Sequence, residues 1–277
     1  MERPAPIDAP HPAKIQPVRT RTQKGASLTG EAGVARLADL IAGSDSAVAL
    51  TGAGISVPSG IPDFRSPGTG RWTKVDPMKV AHIDAFRRDP ARFWEYYRPR
   101  FETLADKEPN AAHDALASLE SRGLLDGVIT QNIDRLHRAA GSRNVVEVHG
   151  SIETSSCTCC EARYRLEDVE ALFTDDGVAE CRMCCGLVKP DVVLFGEMLP
   201  EQALIDAQEL VEGADLLLCV GSSLEVYPVA GLPGIALEAG AALAIITQSS
   251  TPYDREAEVR LDGDVIDELG AVLAALS

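Results

Sequence analysis

The 277-residue chain has no apolar run long enough to span a bilayer and no hydrophobic secretory stretch near its start, so the cytoplasm is its expected location and no membrane contact is expected. Positive charge is scarce: 26 Lys and Arg stand against 42 Asp and Glu, a net charge of −16. Such a surface repels phosphate backbones, which excludes a direct nucleic-acid binder and suits a basic peptide partner. Aromatic residues make up only 5% and histidines number five, so each one carries weight. A spread of cysteines suited to a disulfide scaffold is also missing, because six of the seven fall between Cys157 and Cys185. No internal repeat is present, and nothing in the sequence sets the oligomeric state.

What is there begins with an arm. Residues 1–30 are rich in Pro, Arg, Lys and Thr without apolar periodicity and read as flexible. The arm is basic and poor in acid, as a mitochondrial presequence is, but its five prolines argue against the amphipathic helix such a leader needs. From Glu31 a helical period sets in, with Val34, Leu37, Ala38 and Ile41 on one face. Buried-strand candidates follow at Ala47–Leu50, Gly127–Thr130, Val145–Val148, Val192–Phe195, Leu216–Val220 and Leu243–Ile246. Helical stretches such as Ala111–Arg122, Glu201–Glu212 and Val229–Ala239 separate most of them. Apolar strands alternating with helices predict an α/β fold, a parallel sheet covered on both faces. Two segments break the rhythm: an aromatic-rich helical stretch from Asp76 to Leu104, and the cysteine cluster. Both read as insertions that build a small second lobe.

Polar turns end several strands. Gly52-Ala53-Gly54-Ile55-Ser56 lets backbone N–H groups approach a phosphate, though the tripeptide alone reads equally as a tight turn. Just beyond, Asp63-Phe64-Arg65 supplies an apolar lid and a planar cation. Gly221-Ser222-Ser223 and Thr247-Gln248-Ser249 recur at strand ends, and in a parallel sheet these gather at the carboxyl edge, where nucleotides bind. Gln131, Asn132 and Asp134 follow another strand, where each alone is an N-cap candidate and the three together suit a carboxamide or sugar hydroxyls. Among the histidines, His11 lies in the arm, while His82, His113 and His137 fall in helical stretches and read as packing or surface residues. His149 alone ends a strand beside a glycine, so it is the general-base candidate.

Cys157-x-x-Cys160 and Cys181-x-x-Cys184, with twenty residues between the pairs, have the spacing of two knuckles closing one tetrahedral zinc site. Four thiolates leave no open position, so the ion is structural. Cys159 and Cys185 are supernumerary, and Cys219 reads as a core residue.

Taken in order, Gly52–Ser56, Gly60-Ile61-Pro62-Asp63-Phe64-Arg65, Thr130–Asp134, Val148-His149-Gly150, the paired knuckles, Lys189–Glu197 and Gly221–Leu224 give the chain a clear resemblance to the sirtuins, NAD-dependent protein-lysine deacylases, and to their bacterial and archaeal members above all. The likeness runs from about Glu31 to Leu276. It implies a Rossmann-like large domain (about 31–70, 106–150 and 186–277) and a zinc-ribbon plus helical lobe (about 71–105 and 151–185), with NAD and an acyl-lysine peptide meeting between them. By resemblance, the acyl oxygen attacks the nicotinamide ribose, nicotinamide leaves, His149 deprotonates a ribose hydroxyl, and the products are free lysine and 2′-O-acyl-ADP-ribose. Asn132 and Asp134 then hold the nicotinamide end. Gly52, Ala53, Gly54, Ser56, Asp63, Phe64, Arg65, Trp72, Gln131 and Ile133 line the NAD path. Gly221, Ser222, Ser223, Thr247, Gln248, Ser249 and Val265 serve its adenosine half. Val193, Phe195, Gly196 and Glu197 on one side, with Leu224 and Val226 on the other, sandwich the substrate as a strand. Three positions depart from the family pattern: Thr247 where Asn is usual, Arg71 where Leu is common and Cys185 where Gly is common.

The acyl group is set less sharply. Tyr97 and Arg100 lie three apart on one helical face, and some sirtuins bind the carboxylate of succinyl- or malonyl-lysine with such a pair. A packed Tyr and a surface Arg paired with Glu account for them equally well. Asp63, where those enzymes often have Thr, favours deacetylation as the main activity, with removal of acidic acyl groups and ADP-ribosyl transfer to protein as alternatives.

Overall fold

The computed structural model describes residues 27–63 and 76–277. Most of the arm, together with Phe64, Arg65, Arg71 and Trp72, lies outside the described residues.

Six parallel strands form the main sheet: β1 (Ala47–Thr51), β2 (Gly127–Thr130), β3 (Val145–Glu147), β7 (Leu216–Val220), β8 (Ala242–Ile246) and β9 (Val259–Leu261), in the order β3-β2-β1-β7-β8-β9. β1, β2 and β7 are buried along their whole length, which is why they read as unbroken apolar runs. Their side chains alternate between the two faces. Ala47 and Ala49 of β1 join the apolar layer under α1 (Gly30–Gly43), α5 (Ala111–Ser121) and α10 (Val265–Ala275), while Val48 and Leu50 join the layer under α8 (Glu201–Gly213) and α9 (Leu232–Ala239). This is the Rossmann-like arrangement expected. The order reverses between β1 and β7, and that switch point is where a crevice opens.

A second, antiparallel sheet consists of β4 (Gly150–Cys157), β5 (Arg163–Arg165) and β6 (Val188–Val192) in the order β5-β4-β6. The strand expected at Val192–Phe195 is therefore misplaced: it ends at Val192 and belongs to this sheet rather than the parallel one. Its burial alternates through Val188, Pro190 and Val192, and Pro190 sits where a proline is tolerated, on an edge strand. Phe195 instead forms a single bridge with His82 and is 39% exposed.

The aromatic-rich stretch forms three helices rather than one: α2 (Pro77–Val80), α3 (Ile83–Arg88) and α4 (Pro90–Ala105). Each has its own start signal. Asp76 and Asp89 accept the N–H groups of Met78 and Arg92 ahead of Pro77 and Pro90, and His82 accepts that of Asp84. Phe86, Phe93, Trp94 and Phe101 are buried with Ile152, Val169 and Val188 in a cluster of their own, each large side chain contributing about 1.5–3 kcal/mol. Short helices α6 (Leu136–Ala139) and α7 (Leu166–Val169) complete the described α-helices, and 3-10 turns lie at Ala53–Ser59, Glu170–Leu172 and Val229–Gly231. No described helix is long and apolar enough to cross a membrane.

Candidate functional site

At the switch point the turns after β1 and β7 come closer than side chains permit. Gly54 N–H donates to the Gly221 carbonyl at 2.8 Å, and Gly52 N–H donates to that of Val220 at 3.0 Å. A Cβ on Gly221, whose φ is +63°, would lie 2.3 Å from Ile55 N, and one on Gly52 would lie 2.8 Å from Ser222 Cβ. The bare backbone opens into a cleft of about 1170 Å³, above the usual range of a small-ligand pocket. Gly52, Ala53, Gly54, Ser56 and Asp63 line it from the β1 side, and Gly221, Ser222 and Ser223 from the β7 side.

The β2 turn supplies the densest polar group. Asn132, 9% exposed, donates from Nδ2 to the Gly52 carbonyl and to Ser56 Oγ, each at 3.1 Å. Ser56 Oγ donates to Asp134 Oδ2 at 2.7 Å, while Asp134 Oδ1 accepts the N–H of Leu136 at 3.0 Å. Asp134 thus closes a turn ahead of α6, whose N-cap position is Arg135, and also lines the cleft. Burial raises its pKa, and the Leu136 N–H and Ser56 hydroxyl oppose the rise by bonding the charged form. Gln131 Nε2 donates to Ser222 Oγ at 2.8 Å and ties the β2 turn to the β7 turn, and Ile133 lines the same wall.

His149 is half-buried on the cleft wall, its Nδ1 2.9 Å from the carbonyl of Gln131. A carbonyl only accepts, so Nδ1 carries the hydrogen, and the neutral ring keeps its lone pair on Nε2. Burial lowers the His149 pKa, with the Gln131 bond opposing, so the imidazole is a free base at neutral pH. His113 and His137, read as packing residues, are buried as expected but also bonded: His113 Nε2 meets Ser56 Oγ at 3.4 Å and His137 Nε2 meets Thr51 Oγ1 at 2.8 Å. Sequence spacing carried no sign of these contacts.

Thr247, Gln248, Ser249 and Val265 line the far end of the cleft. Thr247 is buried and its hydroxyl lies 3.3 Å from that of Ser249. Gly263 and Asp264, not singled out from the sequence, also line this end. They form the turn between β9 and α10, and the signal that could have found them is Asp264, which caps α10 by accepting Ile266 N–H. Of the substrate candidates, Val193, Phe195, Gly196, Glu197 and Val226 line the cleft. Glu197 turns its carboxylate back onto its own loop, accepting Leu194 N–H at 2.8 Å and pairing with Lys189 at 3.1 Å. Leu224 does not line the cleft: it is 1% exposed, with its side chain in the core layer under α8 and α9. Its φ of 54° turns the chain there and sends the side chain inward.

Tyr97 and Arg100 both line the cleft from α4. Tyr97 stacks between Phe93 and Phe101, with ring centroids 4.5 and 5.3 Å away. The Arg100 guanidinium sits 3.5 Å from the centre of the Tyr96 ring and donates to the Tyr96 carbonyl, so the expected pairing with Glu is replaced by a tyrosine face.

Cys157, Cys160, Cys181 and Cys184 hold their sulfurs within 4.8 Å of one another, with Cys157–Cys184 and Cys160–Cys181 at 3.5 Å. Sulfurs about 2.3 Å from a tetrahedral zinc stand roughly 3.8 Å apart, so the four fit that ion. The N–H groups of Cys159 and Met183 point at the sulfurs of Cys157 and Cys181, and the Tyr164 hydroxyl lies 3.0 Å from Cys181 and pulls its pKa down to about 6. Cys159 and Cys185 are exposed outside the cluster, and Cys219 is a fully buried core thiol pushed up by burial.

Comparison with known proteins agrees with this geometry. A family model described as the Sir2 family matches residues 52–228. An NAD-dependent protein deacetylase of Pyrobaculum aerophilum is 46% identical over 241 residues, covering 87% of this chain and 93% of its own. One of Thermotoga maritima is 44% identical over 229 residues, covering 83% and 92%. An NAD-dependent protein deacylase of Archaeoglobus fulgidus is 45% identical over 231 residues, covering 83% and 90%. Among solved structures, a Sir2 protein with a p53 peptide and NAD+ superposes with a TM-score of 0.80 at 41% identity, covering 86% of this chain and 96% of its own. Another, with a deacetylated p53 peptide and 3′-O-acetyl-ADP-ribose, reaches 0.83 at 42%, covering 87% and 98%.

Proposed function

Because the chain belongs to the Sir2 family, we infer its activity from that membership: it is an NAD-dependent protein deacylase. NAD supplies an electrophilic ribose carbon with nicotinamide as leaving group. The chain's own residues do the rest. The glycine contact of the β1 and β7 turns lets bare backbone come close to the pyrophosphate, and the Thr247–Ser249 and Gly263–Val265 end takes the adenosine. Asn132 and Asp134 hold the nicotinamide carboxamide, and Ser56 fixes the two of them by bonding both. His149 Nε2 takes the ribose-hydroxyl proton, while the Gln131 carbonyl holds the ring in the required tautomer. An acyl-lysine peptide enters between Val193–Glu197 and the segment ending at Val226. With Arg100 held over Tyr96, acetyl-lysine is the main substrate. The zinc ribbon and the helices α2–α4 form the small lobe. A reduced thiolate cluster and an acidic surface support a cytoplasmic site and basic peptide partners rather than nucleic acid or membrane.

The observation that carries the mechanism is the His149–Gln131 bond, which leaves Nε2 as the base within the cleft. Mass spectrometry of reactions with NAD and a panel of acyl-lysine peptides is expected to find nicotinamide and O-acyl-ADP-ribose in equal amounts. His149→Ala is expected to lower turnover by about 10²–10⁴-fold. A folded His149→Ala protein with undiminished turnover rejects the role.

A further inference from the structure

Ser56 has one hydroxyl hydrogen and two lone pairs, and three neighbours compete for them. Their roles can be assigned from the outside inward. The backbone N–H of Asn110 donates to His113 Nδ1 at 3.3 Å, closing the capping box of α5. A backbone N–H only donates, so Nδ1 holds a lone pair. His113 is 0% exposed and its pKa is lowered to about 4 by burial, so the ring is neutral and its hydrogen sits on Nε2. Nε2 therefore donates to Ser56 Oγ, 3.4 Å away. Asn132 Nδ2 donates to the second lone pair at 3.1 Å, and the hydroxyl hydrogen is left for Asp134 Oδ2 at 2.7 Å.

The consequences reach the cleft. Asn132 spends both amide hydrogens, on Ser56 and on the Gly52 carbonyl, so its Oδ1 remains as an acceptor. Both carboxylate oxygens of Asp134 accept, from Ser56 and from Leu136 N–H, bonds that favour the charged acceptor form against the rise that burial causes. On this wall the side chains of Asn132 and Asp134 thus present acceptors. It fits the NH₂ of a primary amide and repels a carboxylate at the same place.

We propose that His113 is a positioning residue whose tautomer sets the acceptor polarity of the carboxamide pocket, through Ser56, and so selects an aromatic carboxamide over the corresponding acid. The proposal rests on the NAD-dependent reading of the cleft given above. The His113 side chain stands behind Ser56, off the cleft wall, and the bond to Ser56 is the route assigned to it.

Two measurements test it on the full chain. Long-range ¹⁵N–¹H correlation spectra at pH 7 are expected to show neutral His113 protonated at Nε2, and an Nδ1–H ring or an imidazolium overturns the assignment. Inhibition of turnover by nicotinamide and by nicotinic acid gives the selectivity. In His113→Leu the ratio of the two inhibition constants is expected to fall about tenfold, equivalent to about 1.4 kcal/mol. His113→Gln, whose side-chain N–H reaches a similar depth, is expected to stay within about threefold of the wild type. An unchanged ratio in folded His113→Leu, or a Gln variant as impaired as Leu, rejects the proposal. Should the Leu variant not fold, the spectra and the Gln variant decide. The failures separate cleanly: absence of NAD consumption by the wild type removes the function but leaves the tautomer measurable, whereas normal consumption with the wrong tautomer removes only this inference.

Discussion

At the scale of single residues, the two buried histidines give a stability signature with a definite sign. The pKa values of His113 and His137 in the folded chain, about 4 and about 3, lie below the ordinary 6.5. Below pH 6.5 the unfolded chain binds protons that the folded chain refuses. Stability is therefore full above pH 6.5 and falls as pH drops toward 4 and then 3. At pH 5 the loss is on the order of 4 kcal/mol for the pair. Buried Asp134 and Glu147 shift the opposite way and offset some of it only as they begin to protonate. Urea unfolding at pH 7.5 and pH 5.0 measures the difference, which should shrink by at least half in a double His→Gln variant. An equal difference in that variant assigns the effect elsewhere. The sequence disclosed His149 because a histidine ending a strand beside a glycine is a local pattern. It could not disclose His113, whose partner Ser56 is 57 positions away.

At the scale of elements, the glycines of the switch point should behave unlike glycines elsewhere. Gly221→Ala combines a φ of +63° with a Cβ 2.3 Å from Ile55 N, whereas Gly240→Ala, at φ +95°, meets nothing within 4 Å. The first is expected to lose at least about 3 kcal/mol and its NAD affinity, and the second about 1–2 kcal/mol with NAD affinity intact. Denaturation midpoints and calorimetric titration with NAD compare them, and normal NAD binding by Gly221→Ala contradicts the cradle. The same elements show why parts of the fold were legible. β1, β2, β7 and β8 are nearly fully buried and write themselves as apolar runs between polar turns. β9 is three residues with Arg260 at its centre, and β6 carries Lys189, Pro190 and Asp191. Neither has an apolar run to read, because one is a short edge of the large sheet and the other is buried on one face only.

Over the whole molecule, the metal cluster should be a matter of stoichiometry. The protein is expected to bind one zinc per chain. Cys157→Ala and Cys184→Ala should lose it, while Cys159→Ala and Cys185→Ala keep it, because only the former place sulfurs in the fourfold set. Elemental analysis of purified variants decides, and loss of metal from Cys159→Ala would mean that the ligand set is wrong. Cys157 ends β4, and the other end of that strand, Gly150, meets β6 beside the cleft, where one junction joins the two sheets. Val193 N–H donates to the carbonyl of His149 at 2.9 Å, and Gly150 stands opposite Val192, so close that a Cβ would fall 2.0 Å from the Asp191 carbonyl. His149 is thus a coupling pin: its backbone is bonded to the segment that follows β6 and its ring to the Gln131 carbonyl in the turn after β2. One backbone bond and one ring bond therefore place the imidazole with respect to both sheets at once, so neither sheet can shift without straining a bond to His149.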